Sequence, residues 1–285
     1  MCVYKKIVFG LLLLAVSFFS FAGTVERDVF KSSVLKREYA YTIYLPDGYA
    51  DADFRYSVVY LLHGSNGSEM SWLNQGKVKA TLDRLINEGV IAPLIVVMPG
   101  HNESWWADGN DEKAQTALLE DLFPRIEKKY RTTDNKRNRA VAGLSAGGFG
   151  TVNLILQFPE MFATGAALSP AVYTPVPPKG SSAYRHKVFQ TNGELDPQVW
   201  EKLNWTSHID SYRAKNIKVP LYINSGDHDR FDIAYHGAYF YQVMREFQPE
   251  YVEYRVVDGD HEWSVWESTI DDALIYMSKY LAGPR

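Results

Sequence analysis

One serine in this chain stands where a fold can make it a nucleophile. Gly143-Leu144-Ser145-Ala146-Gly147-Gly148 follows an apolar stretch, Arg139-Ala140-Val141-Ala142, and precedes a helix-compatible one running to Gln157. Strand, tight turn and helix form the setting in which G-x-S-x-G lifts a serine hydroxyl clear of its surroundings. Glycines beside the serine let strand and helix approach with no Cβ atoms between them, which a strained turn requires. The helix N-terminus then offers free N–H groups to negative charge forming on an attacked carbonyl. Taken alone, the pattern also fits an ordinary glycine- and serine-rich turn, so other residues must supply the partners.

A nucleophilic serine needs a base, and the base needs an acid that fixes its tautomer and stabilises the imidazolium. In a doubly wound sheet these follow the serine in the order acid, histidine, on loops at strand C-termini. After the apolar run 220–224 comes Ser225-Gly226-Asp227-His228-Asp229-Arg230-Phe231; after 252–257 comes Asp258-Gly259-Asp260-His261-Glu262-Trp263. His261, between the last strand and the last helix, is the candidate base. His63 and His101 precede Ser145, His186 and His236 are not at strand ends, His208 falls in a helical stretch, and His228 occupies the acid's own loop. Asp229 is preferred as the acid because a turn residue then separates strand from carboxylate; Asp227 remains the alternative. Asp196, followed by Pro197, reads as a helix N-cap. The oxyanion donors are expected to be the backbone N–H groups of Ala146 and of Ser65, the latter in His63-Gly64-Ser65-Asn66-Gly67. Such donors are worth about 10²–10³ in turnover each. Because Ser65 would act through its backbone, Ser65→Ala is expected to be mild.

The elements that must position these groups alternate along the chain. Strands are predicted at 39–45, 57–62, 94–98, 139–143, 165–168, 187–191, 220–224 and 252–257. Helices are predicted at 77–87, 114–130, 146–157, 197–214, 234–247 and 263–281. In 77–87 the apolar Val78, Leu82, Leu85 and Ile86 recur at helical spacing. Val58-Val59-Tyr60-Leu61-Leu62 is apolar throughout, as in a sheet covered on both faces. This order predicts an α/β fold: a mostly parallel, doubly wound sheet of about eight strands with helices on both faces and an antiparallel start. Residues 170–182, with four prolines, read as a surface loop, with a wall of the substrate site as the alternative.

The chain has 285 residues, 46% hydrophobic and 22% charged, enough for one large domain with a sizeable core. Lys5 and Lys6 precede an apolar run from Ile7 to Phe21 that ends in Ser20-Phe21-Ala22, so 1–22 reads as a signal peptide and 23–285 as a single domain. An uncleaved anchor is the alternative, but the run is short for a transmembrane span. Export predicts a periplasmic or secreted protein with no stable membrane anchor. Residues 23–285 carry 28 basic against 34 acidic residues, a net charge near −6, which disfavours a nucleic-acid partner. The single cysteine, Cys2, lies within the expected signal, which leaves no disulfide and no thiolate metal site. No H-E-x-x-H or comparable cluster appears, so neither metal nor cofactor is expected.

With these residues in view, the chain resembles the α/β-hydrolase esterase family that includes esterase D (S-formylglutathione hydrolase), feruloyl esterases, enterochelin esterases and the antigen 85 mycolyltransferases. The matching segments are Tyr60-Leu61-Leu62-His63-Gly64 with Trp72, Asp121 to Glu127 with Tyr130-Arg131-Thr132, Ala140 to Gly148, Gly226 with Asp229, and Asp260-His261-Glu262-Trp263 with Trp266. The resemblance implies the α/β-hydrolase fold, Ser145 as nucleophile, Asp229 as acid, His261 as base, and Ser65 and Ala146 as oxyanion donors. Family members often carry methionine after the nucleophile; here it is Ala146, which keeps the N–H and alters the acyl wall. Export argues against the cytosolic S-formylglutathione activity. Flat aromatic side chains at Trp72, Trp105, Trp106 and Trp263 suit a ferulate ring or a sugar face. The expected activity is a serine carboxylic-ester hydrolase using an acyl-enzyme, on a small or glycan-linked ester such as a feruloyl or acetyl ester. The alternatives are an acyltransferase with a sugar or lipid alcohol in place of water, and a non-catalytic binding module on the same scaffold. Acyl group, alcohol and oligomeric state are not read from the sequence.

Overall fold

Val58-Val59-Tyr60-Leu61-Leu62 is apolar at every position because helices cover both sides of it. Alternate residues enter two different cores: Val58, Tyr60 and Leu62 one, Val59 and Leu61 the other. The structure, a computed structural model, describes residues 22–101, 105–109, 112–132, 135 and 138–285. Nearly all of the expected signal peptide, 1–21, lies outside the described residues.

The strands are β1 (Thr24–Lys31), β2 (Glu38–Leu45), β3 (Val58–Leu62), β4 (Ile95–Pro99), β5 (Arg139–Leu144), β6 (Thr164–Leu168), β7 (Gln190–Thr191), β8 (Glu194–Leu195), β9 (Leu221–Gly226) and β10 (Val252–Val257). The α-helices are α1 (Ser71–Asn74), α2 (Val78–Asn87), α3 (Ala114–Ala117), α4 (Phe123–Lys129), α5 (Ala146–Gln157), α6 (Pro197–Leu203), α7 (Ile209–Lys215), α8 (Ile233–Phe247) and α9 (Trp263–Ser278). Among the described residues eight strands form one sheet in the order β1-β2-β4-β3-β5-β6-β9-β10. The first two pairings are antiparallel and the rest parallel; the sheet has the expected antiparallel start, but β2 pairs with β1 and β4 and not with β3, the strand that follows it in the chain. From β3 the chain runs outward to β4, then returns to place β5 on the other side of β3. This reversal leaves a crevice at the C-terminal ends of β3 and β5, where open α/β sheets bind ligands.

One core holds Leu118, Leu122 and Ile126, Val152 and Ile155 of α5, and Phe240 and Met244 of α8. The other holds Val78, Leu82 and Leu85 of α2 with Ile270, Ala273 and Leu274 of α9. Helices therefore flank the sheet on both faces. Among the described residues no helix is long and apolar enough to cross a membrane.

Three expectations are corrected. The predicted strand 187–191 lies outside the main sheet: 187–189 form a 3₁₀ turn, and only Gln190–Thr191 pair, with Glu194–Leu195. Val188 and Phe189 are buried in a third cluster with Trp105 and Trp200, which takes the apolar pair that suggested a strand. Between them Asn192 and Gly193 both have positive φ, the two-residue hairpin turn that Asn-Gly favours. The eighth strand of the sheet is instead β1, whose Glu26, Arg27, Asp28 and Lys31 hid it from an apolar-run search; charge is what an exposed edge strand carries. The predicted helix 197–214 is two helices, α6 and α7, separated by a 3₁₀ turn at Trp205–Ser207.

Candidate active site

Ser145 joins β5 to α5 with φ 53° and ψ −115°, outside the regions L-residues prefer. Its conformation is held by main-chain bonds: Ser145 N–H donates to Leu168 O (2.9 Å), and Ser145 O accepts from Phe149 N–H and Ala171 N–H. The glycines make this turn possible. A Cβ on Gly143 would stand 2.5 Å from Gly147 O, and one on Gly147 would stand 2.5 Å from Leu62 O.

Opposite the serine, His261 leaves β10 and enters α9. The Ser145 hydroxyl donates to His261 Nε2 (2.8 Å), and His261 Nδ1–H donates to Asp229 Oδ2 (2.7 Å). The carboxylate at Nδ1 holds the proton there and leaves Nε2 as the acceptor. Asp229 has a fully buried side chain, and its other oxygen accepts from Phe231 N–H (3.0 Å). Asp227 points elsewhere: its Oδ1 lies on His228 Nδ1 (2.7 Å) and accepts from Gly259 N–H, whose bond holds the carboxyl below the usual range. Of the two carboxylates left open by the sequence, Asp229 is the one on His261. Asp196 caps α6 by accepting from Gln198 N–H and Val199 N–H.

The His261 ring is fixed on more sides than the sequence suggests. Phe231 and Trp266 meet it edge-on at 5.0 and 4.9 Å between centroids. Asp260 Oδ1 accepts from His261 N–H (2.6 Å) and from Arg230 N–H (2.8 Å). Arg230 itself reaches Asp260 Oδ2 (2.8 Å) and His261 O (3.2 Å). Those two backbone donors and the guanidinium hold the Asp260 carboxyl down at about 2. An acid beside the base and an arginine one residue after Asp229 were the available signals in the sequence; the clamp between the two loops became visible only in three dimensions.

Ala146 is the first residue of α5, so its N–H has no partner within the helix. Across the crevice, Gly64 packs so tightly that a Cβ there would lie 2.6 Å from Leu144 Cδ1 and 3.4 Å from Ser145 Cβ. This brings the loop carrying Ser65 against the serine turn. His63 holds that loop from below: its Nδ1–H donates to Gly64 O (2.7 Å), and its Nε2 accepts from His101 N–H (3.0 Å). Burial lowers His63 to about 4, which keeps the ring neutral and both bonds in place. The Ser65 side chain is also bonded, Oγ to His186 Nε2 at 2.8 Å.

Ser145 and His261 open onto a cavity of about 520 Å³. Of the four tryptophans assigned to substrate, Trp105 and Trp263 line it. Trp72 and Trp106 do not: both are buried beneath it, with Trp72 Nε1–H donating to Leu62 O and Trp106 Nε1–H to His63 O, each at 3.0 Å. Their indole N–H groups tie down the carbonyls at the end of β3. The proline-rich segment is a wall of the cavity, with Tyr173, Gly180, Ser181 and Ser182 facing in, and not a surface loop. It is fastened because the carbonyls of Val172 and Tyr173 accept from Trp205 Nε1, Trp200 Nε1 and Asn204 Nδ2. One group among the described residues, Asp227, His228 and Asp258, offers three possible metal-ligand atoms within 4.8 Å of one another; all three residues are exposed.

A family model described as "Putative esterase" matches residues 32–277. An endo-1,4-beta-xylanase/feruloyl esterase of Xylanibacter ruminicola is 31% identical over 218 residues, 73% of this chain. The chain spans 29% of that relative's length. An acetyl esterase of Caldicellulosiruptor saccharolyticus is 24% identical over 275 residues, covering 88% of this chain and 96% of that protein. A solved structure of a ferulic acid esterase superposes with a TM-score of 0.79 at 28% identity, covering 92% of this chain and 100% of that one. By the family match and the sheet that carries the serine turn, the chain belongs to this esterase family of α/β-hydrolases.

Proposed function

We propose that the protein is a serine carboxylic-ester hydrolase that works through an acyl-enzyme. The observation that carries this reading is the unbroken hydrogen-bonded line Asp229–His261–Ser145 ending at the 520 Å³ cavity. Ser145 Oγ attacks the ester carbonyl while His261 Nε2 takes its proton. The oxyanion is received by the N–H groups of Ala146 and Ser65, and Asp229 stabilises the imidazolium. Collapse breaks the ester C–O bond, and His261 returns the proton to the departing alcohol. Water then enters by the same route: His261 accepts its proton, the hydroxide adds to the acyl carbon, and the acid leaves as Ser145 regains its hydrogen.

Feruloyl and acetyl esters of glycans are the proposed substrates. Two relatives carry those names, and Trp105, Tyr173 and Trp263 give the cavity flat aromatic walls. Export belongs to the same proposal, with residues 1–22 removed as a signal peptide; N-terminal sequencing of the protein from culture fluid or periplasm is expected to begin at Gly23. The decisive measurement is turnover of p-nitrophenyl acetate by wild type and Ser145→Ala. Loss of all but a residue of about 10⁻⁶ of kcat is expected; unchanged turnover would overturn the enzymatic reading.

A further inference from the structure

We propose that the site prefers esters carrying a carboxylate, and that Arg185 is the residue that reads it; this rests on the hydrolase reading above. From Met161 to Gly193 the chain has no acidic residue, and its charged residues there are Lys179, Arg185 and Lys187, in a protein that is net negative. This stretch supplies one wall of the cavity, and Arg185 lines it with an exposed side chain. Arg185 makes no ion pair and no side-chain hydrogen bond among the described residues. The other arginine of the cavity is different: Arg230 spends its charge on Asp260.

Arg185 stands on a fixed base. It ends a 3₁₀ turn capped by Ser181, whose Oγ accepts from Ala183 N–H (3.2 Å). On one side the Tyr184 carbonyl accepts from Gln190 Nε2 (2.6 Å); on the other, His186 is bonded to Ser65 of the oxyanion loop. The main chain that carries Arg185 is thus fixed in the wall of the cavity that Ser145 and His261 also line, while its guanidinium is left to a ligand. Glu262, the acidic residue that also lines the cavity, has its carboxylate engaged by Ser264 Oγ (2.7 Å) at the start of α9. A planar, permanently charged fork with no partner among the described residues is matched by a carboxylate, which it can hold through two parallel N–H bonds. The carboxylate belongs to either half of the ester: an acid group on the alcohol side, as on a uronic acid, or a second acid group on the acyl side.

The test uses two pairs of esters matched in size. On the alcohol side, 4-acetoxybenzoate is compared with 4-acetoxybenzamide; on the acyl side, the 4-nitrophenyl monoester of adipic acid is compared with 4-nitrophenyl hexanoate. In low salt the anionic member of at least one pair is expected to have the higher kcat/KM by fivefold or more, and the pair that shows it identifies the half concerned. Arg185→Gln should remove that ratio, Arg185→Lys should retain part of it, and 0.5 M NaCl should reduce it because an exposed cation is screened. A ratio near one for both pairs, or a ratio that survives Arg185→Gln, overturns the proposal. Failure of every ester, neutral ones included, instead defeats the hydrolase reading. In that event calorimetric binding of 4-hydroxybenzoate against 4-hydroxybenzamide to wild type and Arg185→Gln still decides whether Arg185 holds a carboxylate.

Discussion

At the scale of single residues, the site depends on which groups are free to move and which are held. His261 is held by Asp229 through Nδ1, by Asp260 through its main chain, and by two aromatic edges against its ring. These constraints differ in kind, and so should their removal. Asp229→Asn replaces the acceptor at Nδ1 and permits the wrong tautomer; kcat for p-nitrophenyl acetate is expected to fall on the order of 10⁴. Asp227→Asn, at a carboxylate that does not touch His261, is expected to stay near wild type in the same assay. Asp260→Asn loosens the backbone of His261, the proposed base, but leaves its Asp229 partner in place. A fall of about tenfold in kcat with little change in KM is expected, equivalent to about 1.4 kcal/mol of transition-state stabilisation. Ser65→Ala, expected to be mild because its proposed role is a backbone one, also removes the bond from Ser65 Oγ to His186, which joins the loop after β3 to the wall that carries Arg185.

At the scale of elements, catalytic geometry is set by how closely β3, β5 and α5 approach. Gly147 is the contact: its missing side chain lets α5 lie against the carbonyls of Leu62 and His63. Gly147→Ala puts a methyl 2.5 Å from one of these carbonyls, which are backbone atoms and cannot swing aside. Overpacking of this kind costs about 1–3 kcal/mol. The expected result is a lower urea midpoint with a larger loss of turnover, because the displaced elements carry Ser145 and the loop of Ser65, the proposed oxyanion donor. Trp106→Phe tests the same junction from below. It keeps most of the buried ring and strands the His63 carbonyl, so unfolding free energy in urea should drop by about 1–3 kcal/mol.

At the scale of the whole molecule, stability and pH are linked through buried neutral histidine. Burial lowers His63 to about 4, whereas in the unfolded chain it titrates near 6.5. As pH falls through 6.5 the unfolded state takes up a proton that the native state refuses, so stability declines; below about 4 both states are protonated and the decline from this group ends. The shift corresponds to about 3 kcal/mol, present in full above pH 7 and lost by about pH 4. Urea titrations from pH 7.5 to 4 are expected to show a steeper fall for wild type than for His63→Gln. The difference between the two curves isolates this histidine from the carboxylates that titrate lower.

The order of residues alone carried the alternation of apolar and amphipathic segments, and with it the class of sheet, the strand–turn–helix around Ser145, and the order serine, acid, histidine along the chain. Such features are local: periodicity, a glycine where a turn must be tight, a polar cluster at the end of an apolar run. Edge strand β1 escaped because exposure, which makes its residues charged, removes the signal used to find strands. Between Asp227 and Asp229 the local spacing supports a preference for Asp229 but no more, since both follow β9 within three residues of Gly226. Only the packing of one loop against another decided it, by placing one carboxylate on His261 and turning the other to Gly259. The same holds for the tryptophans, where residue type predicts a flat surface but not which side of the sheet it covers. Trp72 and Trp106 went under the loop because carbonyls at the end of β3 needed donors there, and burying a carbonyl without one is costly.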